Sequence, residues 1–160
     1  MRDDTPWPNH ALQRTRPSRL GCNSRVPWPG SLSLGRCKVE NHTDSGRSAV
    51  VSKLLVDSRS AFTWIAATTL RAIGIQPVKH DLQIQLANGR IIKRSVGFGI
   101  LRVGDWQTID EILFAQPNDV LRLGFRALTG MNLRVDARRN KLVLAGPIIA
   151  ATASAAHQPA

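Results

Sequence analysis

A chain of 160 residues with 42% hydrophobic and 21% charged residues is long enough for one ordinary domain with tails, and too apolar to be disordered throughout. Its 22 Lys and Arg against 11 Asp and Glu give a formal charge of +11, but no dense basic block forms an arm, and aromatics are only 5%, with no Tyr to stack on bases. Nucleic acid is therefore not the expected partner. No apolar run is long enough to span a membrane, and Asp3, Asp4, Pro6 and Pro8 occupy the place of a signal peptide's apolar core, so a soluble, cytoplasmic protein without membrane contact is expected.

Residues 1–37 hold five of the nine prolines and six arginines, and no helical or strand period is read in them. Such a stretch buries too little apolar area to offset chain entropy and is expected to be disordered. It also resembles the head of many doubtful reading frames, and a start near Lys38 would leave the rest intact. Cys22 and Cys37 have neither metal-ligand nor disulfide-framework spacing.

From residue 38 the patterning is orderly. Residues 49–56 are rich in Val and Leu and read as a buried strand. Phe62, Ile65, Thr69 and Ile73 recur at helical spacing up to Gly74, with Pro77 beyond, which predicts a short helix. Leu82, Ile84 and Leu86 alternate with Gln83 and Gln85, a half-exposed strand, and Asn88-Gly89 signals a hairpin. Residues 90–103 read as extended, with Gly97, Gly99 and Gly104 as bends or bulges. Residues 106–114 give a further strand, Leu121, Phe125 and Leu128 a second short helix, and residues 133–136 and 141–144 a closing hairpin. Residues 148–160 read as a disordered, Ala-rich tail. Many short strands with Gly punctuation and one or two short helices predict a mainly β protein, a small closed β-barrel over residues 38–147.

The chemistry centres on Leu54-Leu55-Val56-Asp57-Ser58-Arg59, an apolar strand delivering one carboxylate into a polar turn. Alone, Asp57 reads as a cap on the turn. The ordered set around it resembles the retropepsin-like aspartic proteases of small bacterial type. Val39-Glu40-Asn41 is similar to the start of that family's first hairpin, and Asp57-Ser58 to its Asp-Thr/Ser-Gly loop. Ala87-Asn88-Gly89 falls at the place of its flap, and Leu121-Arg122-Leu123-Gly124 at its later apolar-apolar-Gly motif, followed by a short helix and a hairpin. The resemblance covers residues 39–146. It implies the retropepsin-type acid protease barrel and an aspartic endopeptidase acting on peptide or protein substrates. It also implies a homodimer in which two copies of Asp57 share one proton, with no cofactor and no metal.

Two positions depart from the family. Arg59 stands in the active-site loop where the family has Gly, and turned inward its charge would favour ionisation of both carboxylates. Arg122 replaces an apolar residue and must snorkel or find a partner. The alternative expectation is accordingly a catalytically dead barrel that binds peptides or self-associates. His10, His42, His80 and His157 have no ligand-spaced neighbours. Asp110-Glu111 reads as a solvated strand edge, and Asp136 as a turn former.

Overall fold

Two ten-residue strands, β1 (Leu32–Asn41) and β2 (Ser48–Asp57), open the computed structural model, which describes residues 32–148. They form an antiparallel hairpin with Leu32 opposite Val56 and Glu40 opposite Ser48. Asn41 N–H donates to Arg47 O (2.9 Å) and Gly46 N–H to Asp44 Oδ1 (3.1 Å), fixing the loop between them. Both strands change their buried face midway. Cys37 and Val39 face the core in one half of β1, while Leu32 and Leu34 pack on it in the other. On β2 the inward set switches from Ala49 and Val51 to Leu54 and Val56. The switch falls at Lys53, which takes φ +60° between the pairs Leu34–Leu54 and Arg36–Ser52. One left-handed residue here shifts the alternation and bends the hairpin.

Strand β1 thus begins inside the segment expected to lack structure, and residues 32–37 belong to the barrel. The Leu32-Ser33-Leu34 alternation is the signal that the Pro- and Arg-rich residues before it masked. Residues 1–31, with Cys22 and His10, and the tail from residue 149, with His157, lie outside the described residues.

The chain continues through β3 (Thr63–Ala66), α1 (Ala67–Ala72), β4 (Lys79–Gln85), β5 (Ile91–Val103), β6 (Trp106–Ala115), β7 (Arg122–Gly124), α2 (Phe125–Gly130), β8 (Leu133–Asp136) and β9 (Lys141–Leu144). The strands pair in the order β1-β2-β7-β3-β6-β5, and residues 38–41 of β1 return to pair with residues 99–102 of β5. This closes a six-stranded barrel, with β4 outside it on β5 and β8–β9 as a separate hairpin. The mainly β barrel with two short helices is as the sequence predicts. Leu54, Ile65, Leu70, Leu101, Ile112, Phe114 and Leu123 fill its core at 0–1% exposure. Each such side chain contributes roughly 1.5–3 kcal/mol on burial. Among the described residues, no helix is long and apolar enough to cross a membrane.

Three local expectations are corrected. The predicted first helix is half strand: Thr63-Trp64-Ile65-Ala66 is β3, wedged between β6 and β7, and only Ala67–Ala72 coils before Gly74 (φ +78°) stops it. β-branched and aromatic residues suit that slot better than a helix. Leu121 likewise precedes a strand, and the second helix starts only at Phe125. Gly97 and Gly99 are not bulges, because β5 keeps unbroken register with β6 from Val96 to Val103. They are small because other residues cross them: a Cβ on Gly97 would lie 2.8 Å from Gln76 O, and one on Gly99 2.8 Å from Ile112 Cδ1. The irregularity lies instead in β4, between Lys79 and Leu82, where Asp81 has φ +52°.

Cys37 is wholly buried, and burial pushes its thiol up to about 11. A thiolate is the reactive form. Mass spectrometry after iodoacetamide at pH 8 should therefore find Cys37 unmodified in the folded protein and modified after unfolding in guanidinium. Rapid labelling of the native state would contradict the packing of β1.

Candidate functional site around Asp57

Strand β2 ends at Asp57, and β7 lies beside it in parallel, with Asp57 level with Gly124. The next strand, β3, flanks β7 on the other side, Trp64 opposite Arg122. Residues 58–62 therefore cross from one side of β7 to the other. The crossing is pinned by backbone bonds from Phe125 N–H to Ser60 O (2.7 Å) and from Arg126 N–H to Ala61 O (3.3 Å). Gly124 is required by this crossing, since a Cβ there would sit 2.4 Å from Phe62 C and O. Below it, Thr63 Oγ1 accepts Gly124 N–H (3.2 Å) and donates its own proton to Asp110 Oδ2 (3.1 Å).

The Asp57 side chain, 18% exposed, is held at both oxygens. Oδ1 accepts the backbone N–H of Arg59 (3.1 Å), closing a tight turn that Ser60 N–H also makes to Asp57 O (3.1 Å). Oδ2 accepts Nη1 of Arg122 at 2.9 Å. The Arg122 guanidinium stands 5.6 Å from the centroid of the Trp64 ring, and its Nε donates to Val120 O (3.3 Å). Arg122 thus finds the partner that its position demands, and that partner is the candidate catalytic carboxylate. An ion pair stacked on an aromatic ring is a planar arrangement that a Lys could not reproduce.

Ser58 and Arg59 are exposed at the crown of the loop. Arg59 is absent from the non-Gly residues with positive φ among those described, so the turn does not require a glycine's backbone there. Leu123, level with Val56, is fully buried. The structure thus brings Asp57, Leu123 and Gly124 together and adds Arg122 and Trp64 to them. Neither addition was singled out from the sequence as a contact of Asp57, because pairing across a three-residue strand leaves no periodic signal.

The hairpin expected at Asn88-Gly89 forms between β4 and β5. Ala87, Asn88 and Gly89 make its exposed tip, closed by Gly89 N–H to Leu86 O and Leu86 N–H to Arg90 O (both 2.8 Å), with Gly89 at φ +81°. Its underside, Leu82, Ile84, Leu86 and Ile92, packs against the buried cluster of Trp64, Val96, Leu113 and Ala115, which Phe62 and Leu121 also cover. The hairpin therefore packs on the same cluster that contains the Trp64 ring. Arg94 anchors its base through a two-pronged pair with Asp119, Nε to Oδ2 (2.6 Å) and Nη2 to Oδ1 (2.7 Å). Burial pushes the Asp119 carboxyl up, but the Arg94 bonds and the Gln116 N–H outweigh it and hold the group below its ordinary value.

Asp110 and Glu111 correct a further expectation. Neither is a solvated edge: they are 6% and 8% exposed, because β6 is covered on both faces from Asp110 onward. Burial raises the Asp110 carboxyl, with the Thr63 hydroxyl opposing. Glu111 is lowered, first by the hydrogen bond from Lys79 and, against its desolvation, by that from Arg126. Arg126 also covers the Phe62 ring at 5.2 Å. Asp136 shapes its turn as expected, accepting Arg138 N–H (3.0 Å) and Arg139 N–H (3.1 Å). A cavity of about 260 Å³ lined by Ala66, Arg71, Gln116, Asp119 and Leu121 lies to one side and does not include Asp57. No protein-family model matches the chain, and no curated protein matches its sequence.

Proposed function

We propose that this chain is a retropepsin-like aspartic endopeptidase domain whose active site is completed by a second copy, each copy contributing Asp57. The observation that carries the reading is the placement of Asp57. It ends a buried strand of a closed barrel, level with Gly124 of a short inserted strand, in a loop whose backbone is fixed on both sides. The order of elements supports it: a first hairpin whose second strand ends at Asp57, then β3 and α1, the β4–β5 hairpin with its exposed tip, β6, the Leu123-Gly124 strand, a short helix and a final hairpin. In such a dimer one carboxylate takes a proton from water while its partner, protonated, donates to the peptide carbonyl. The β4–β5 hairpin is suited to cover a bound peptide and exclude water.

The Arg122–Asp57 pair favours a second reading, a barrel that binds extended peptides without cleaving them. A guanidinium proton occupies one of the two carboxylate oxygens available to the shared proton, and the Arg59 N–H meets the other. The two readings separate in one assay. Wild-type protein, Arg122→Leu, Arg59→Gly and Asp57→Asn are incubated with a peptide library between pH 4 and 7. Cleavage of peptides without acidic residues is expected from Arg122→Leu at a rate at least about 100-fold above wild type, the scale of general acid–base assistance. It should be absent in Asp57→Asn and blocked by hydroxyl-bearing transition-state mimics. Peptide binding without cleavage by any variant selects the second reading.

A further inference from the structure

We propose that Arg122 selects the ligand: the site takes extended peptides bearing an acidic side chain, whose carboxylate replaces Asp57 on the Arg122 guanidinium. This rests on the peptide-site reading above and names the substrate class of that site. The guanidinium is fixed on three sides, by Asp57 Oδ2 at 2.9 Å, by Val120 O at 3.3 Å and by the Trp64 face. The side chain is still 25% exposed, so an incoming group can reach it.

The other carboxylates of this region are engaged elsewhere. Asp119 is gripped by Arg94, Glu111 by Lys79 and Arg126, and Asp110 by Thr63. None of these three is hydrogen-bonded to Arg122, although its charge helps hold the Asp119 carboxyl low, so Asp57 is the hydrogen-bonded carboxylate that a ligand carboxylate displaces.

The exchange has a simple energetic logic. Drawing Arg122 away from Asp57 with nothing in return leaves a partly buried guanidinium without its hydrogen-bonded carboxylate, which is costly. Replacing one carboxylate by another leaves the number of charge-assisted hydrogen bonds on Arg122 unchanged. A neutral side chain cannot make that exchange. An acidic peptide therefore both docks and releases Asp57, whose oxygen is then open to the proton that catalysis needs. The formal charge of +11 adds a long-range attraction for such ligands, although that attraction does not depend on Arg122.

The test uses fluorescent peptides identical except for Glu or Gln at one position, scanned along the length, with binding read by anisotropy and cleavage by mass. Wild type should favour the Glu peptide at least tenfold. Arg122→Leu should lose that preference while still handling the Gln peptide. Asp57→Asn, which removes the internal competitor, should bind the Glu peptide several-fold tighter than wild type. Equal handling of the two peptides by wild type overturns the inference. So does a preference for Glu that survives Arg122→Leu, or competition by a single-stranded oligonucleotide that is equally strong in both proteins, since either reports net charge alone. Cleavage by Arg122→Leu with no Glu preference in wild type leaves the protease reading standing without the inference. An Arg122-dependent Glu preference in binding, with no cleavage by any variant, removes the protease reading and keeps the inference. Absence of both binding and cleavage removes both.

Discussion

Gly124→Ala is expected to destabilise the protein by about 3 kcal/mol, the upper end of ordinary overpacking. The reason is not conformational, because Gly124 has φ −89° and ψ 172°, a backbone that any residue adopts. It is the distance from the position of a Cβ to the backbone of the crossing segment: 2.4 Å to Phe62 C and O and 2.9 Å to Thr63 N. Backbone cannot rotate aside. To relieve the clash, β7 must leave β2 or β3, breaking the pairing of Asp57 with Gly124 and the 2.7 Å bond from Phe125 N–H to Ser60 O. Two other glycines serve as controls. Gly130 meets a closer atom, Thr108 Oγ1 at 2.2 Å, but that is a side chain that turns about one bond, so Gly130→Ala should cost less. Gly89 has φ +81° with nothing within 4 Å, so Gly89→Ala should lose only the left-handed penalty, about 1–2 kcal/mol. Urea unfolding midpoints should place Gly124→Ala lowest of the three. A midpoint at or above that of Gly89→Ala would mean that the crossing at Phe62 is looser than drawn.

How much of this was legible in the sequence depends on the distance over which each signal acts. The strands at residues 49–56, 106–114, 133–136 and 141–144 were readable because alternation and turn residues are local, and the Asn88-Gly89 hairpin for the same reason. Thr63-Trp64-Ile65-Ala66 was misread because apolar residues three and four apart fit a helix, while the strand assignment comes from β6 and β7, distant in sequence. Position 57 was legible as a carboxylate at a strand end. Its partner was not, since nothing near Arg122 announces that a parallel pairing will bring it to Asp57. Arg59, the nearer departure in sequence, meets Asp57 through its backbone N–H, whereas Arg122 meets it through its guanidinium. Asp110-Glu111 looked solvated because two adjacent acids on a strand usually are. Their burial follows from barrel closure on one face and from Lys79 and Arg126 on the other.

These two neighbours on β6 should respond to neutralisation in opposite directions as pH changes. Glu111 is lowered in the folded protein by its bonds to Lys79 and Arg126. Its ionised form therefore adds stability above the ordinary Glu range, and that contribution disappears as pH falls through the folded value. Glu111→Gln should cost about 1–2 kcal/mol at pH 7. That is below the figure for a deeply buried pair because the Lys79 and Arg126 side chains are 53% and 46% exposed. The deficit should shrink at pH 3. Asp110 is raised by burial, so its ionised form subtracts stability at pH 7, and the penalty is relieved as pH falls through the raised value. Asp110→Asn removes that penalty and replaces the bond from Thr63 O–H to a carboxylate by one to an amide oxygen. The decisive quantity is thus the change in melting temperature of each variant against wild type, taken at pH 7 minus pH 3. It should be positive by several degrees for Asp110→Asn and negative for Glu111→Gln. The same sign for both would mean that the pair titrates as one unit rather than as a buried acid beside an ion-paired one.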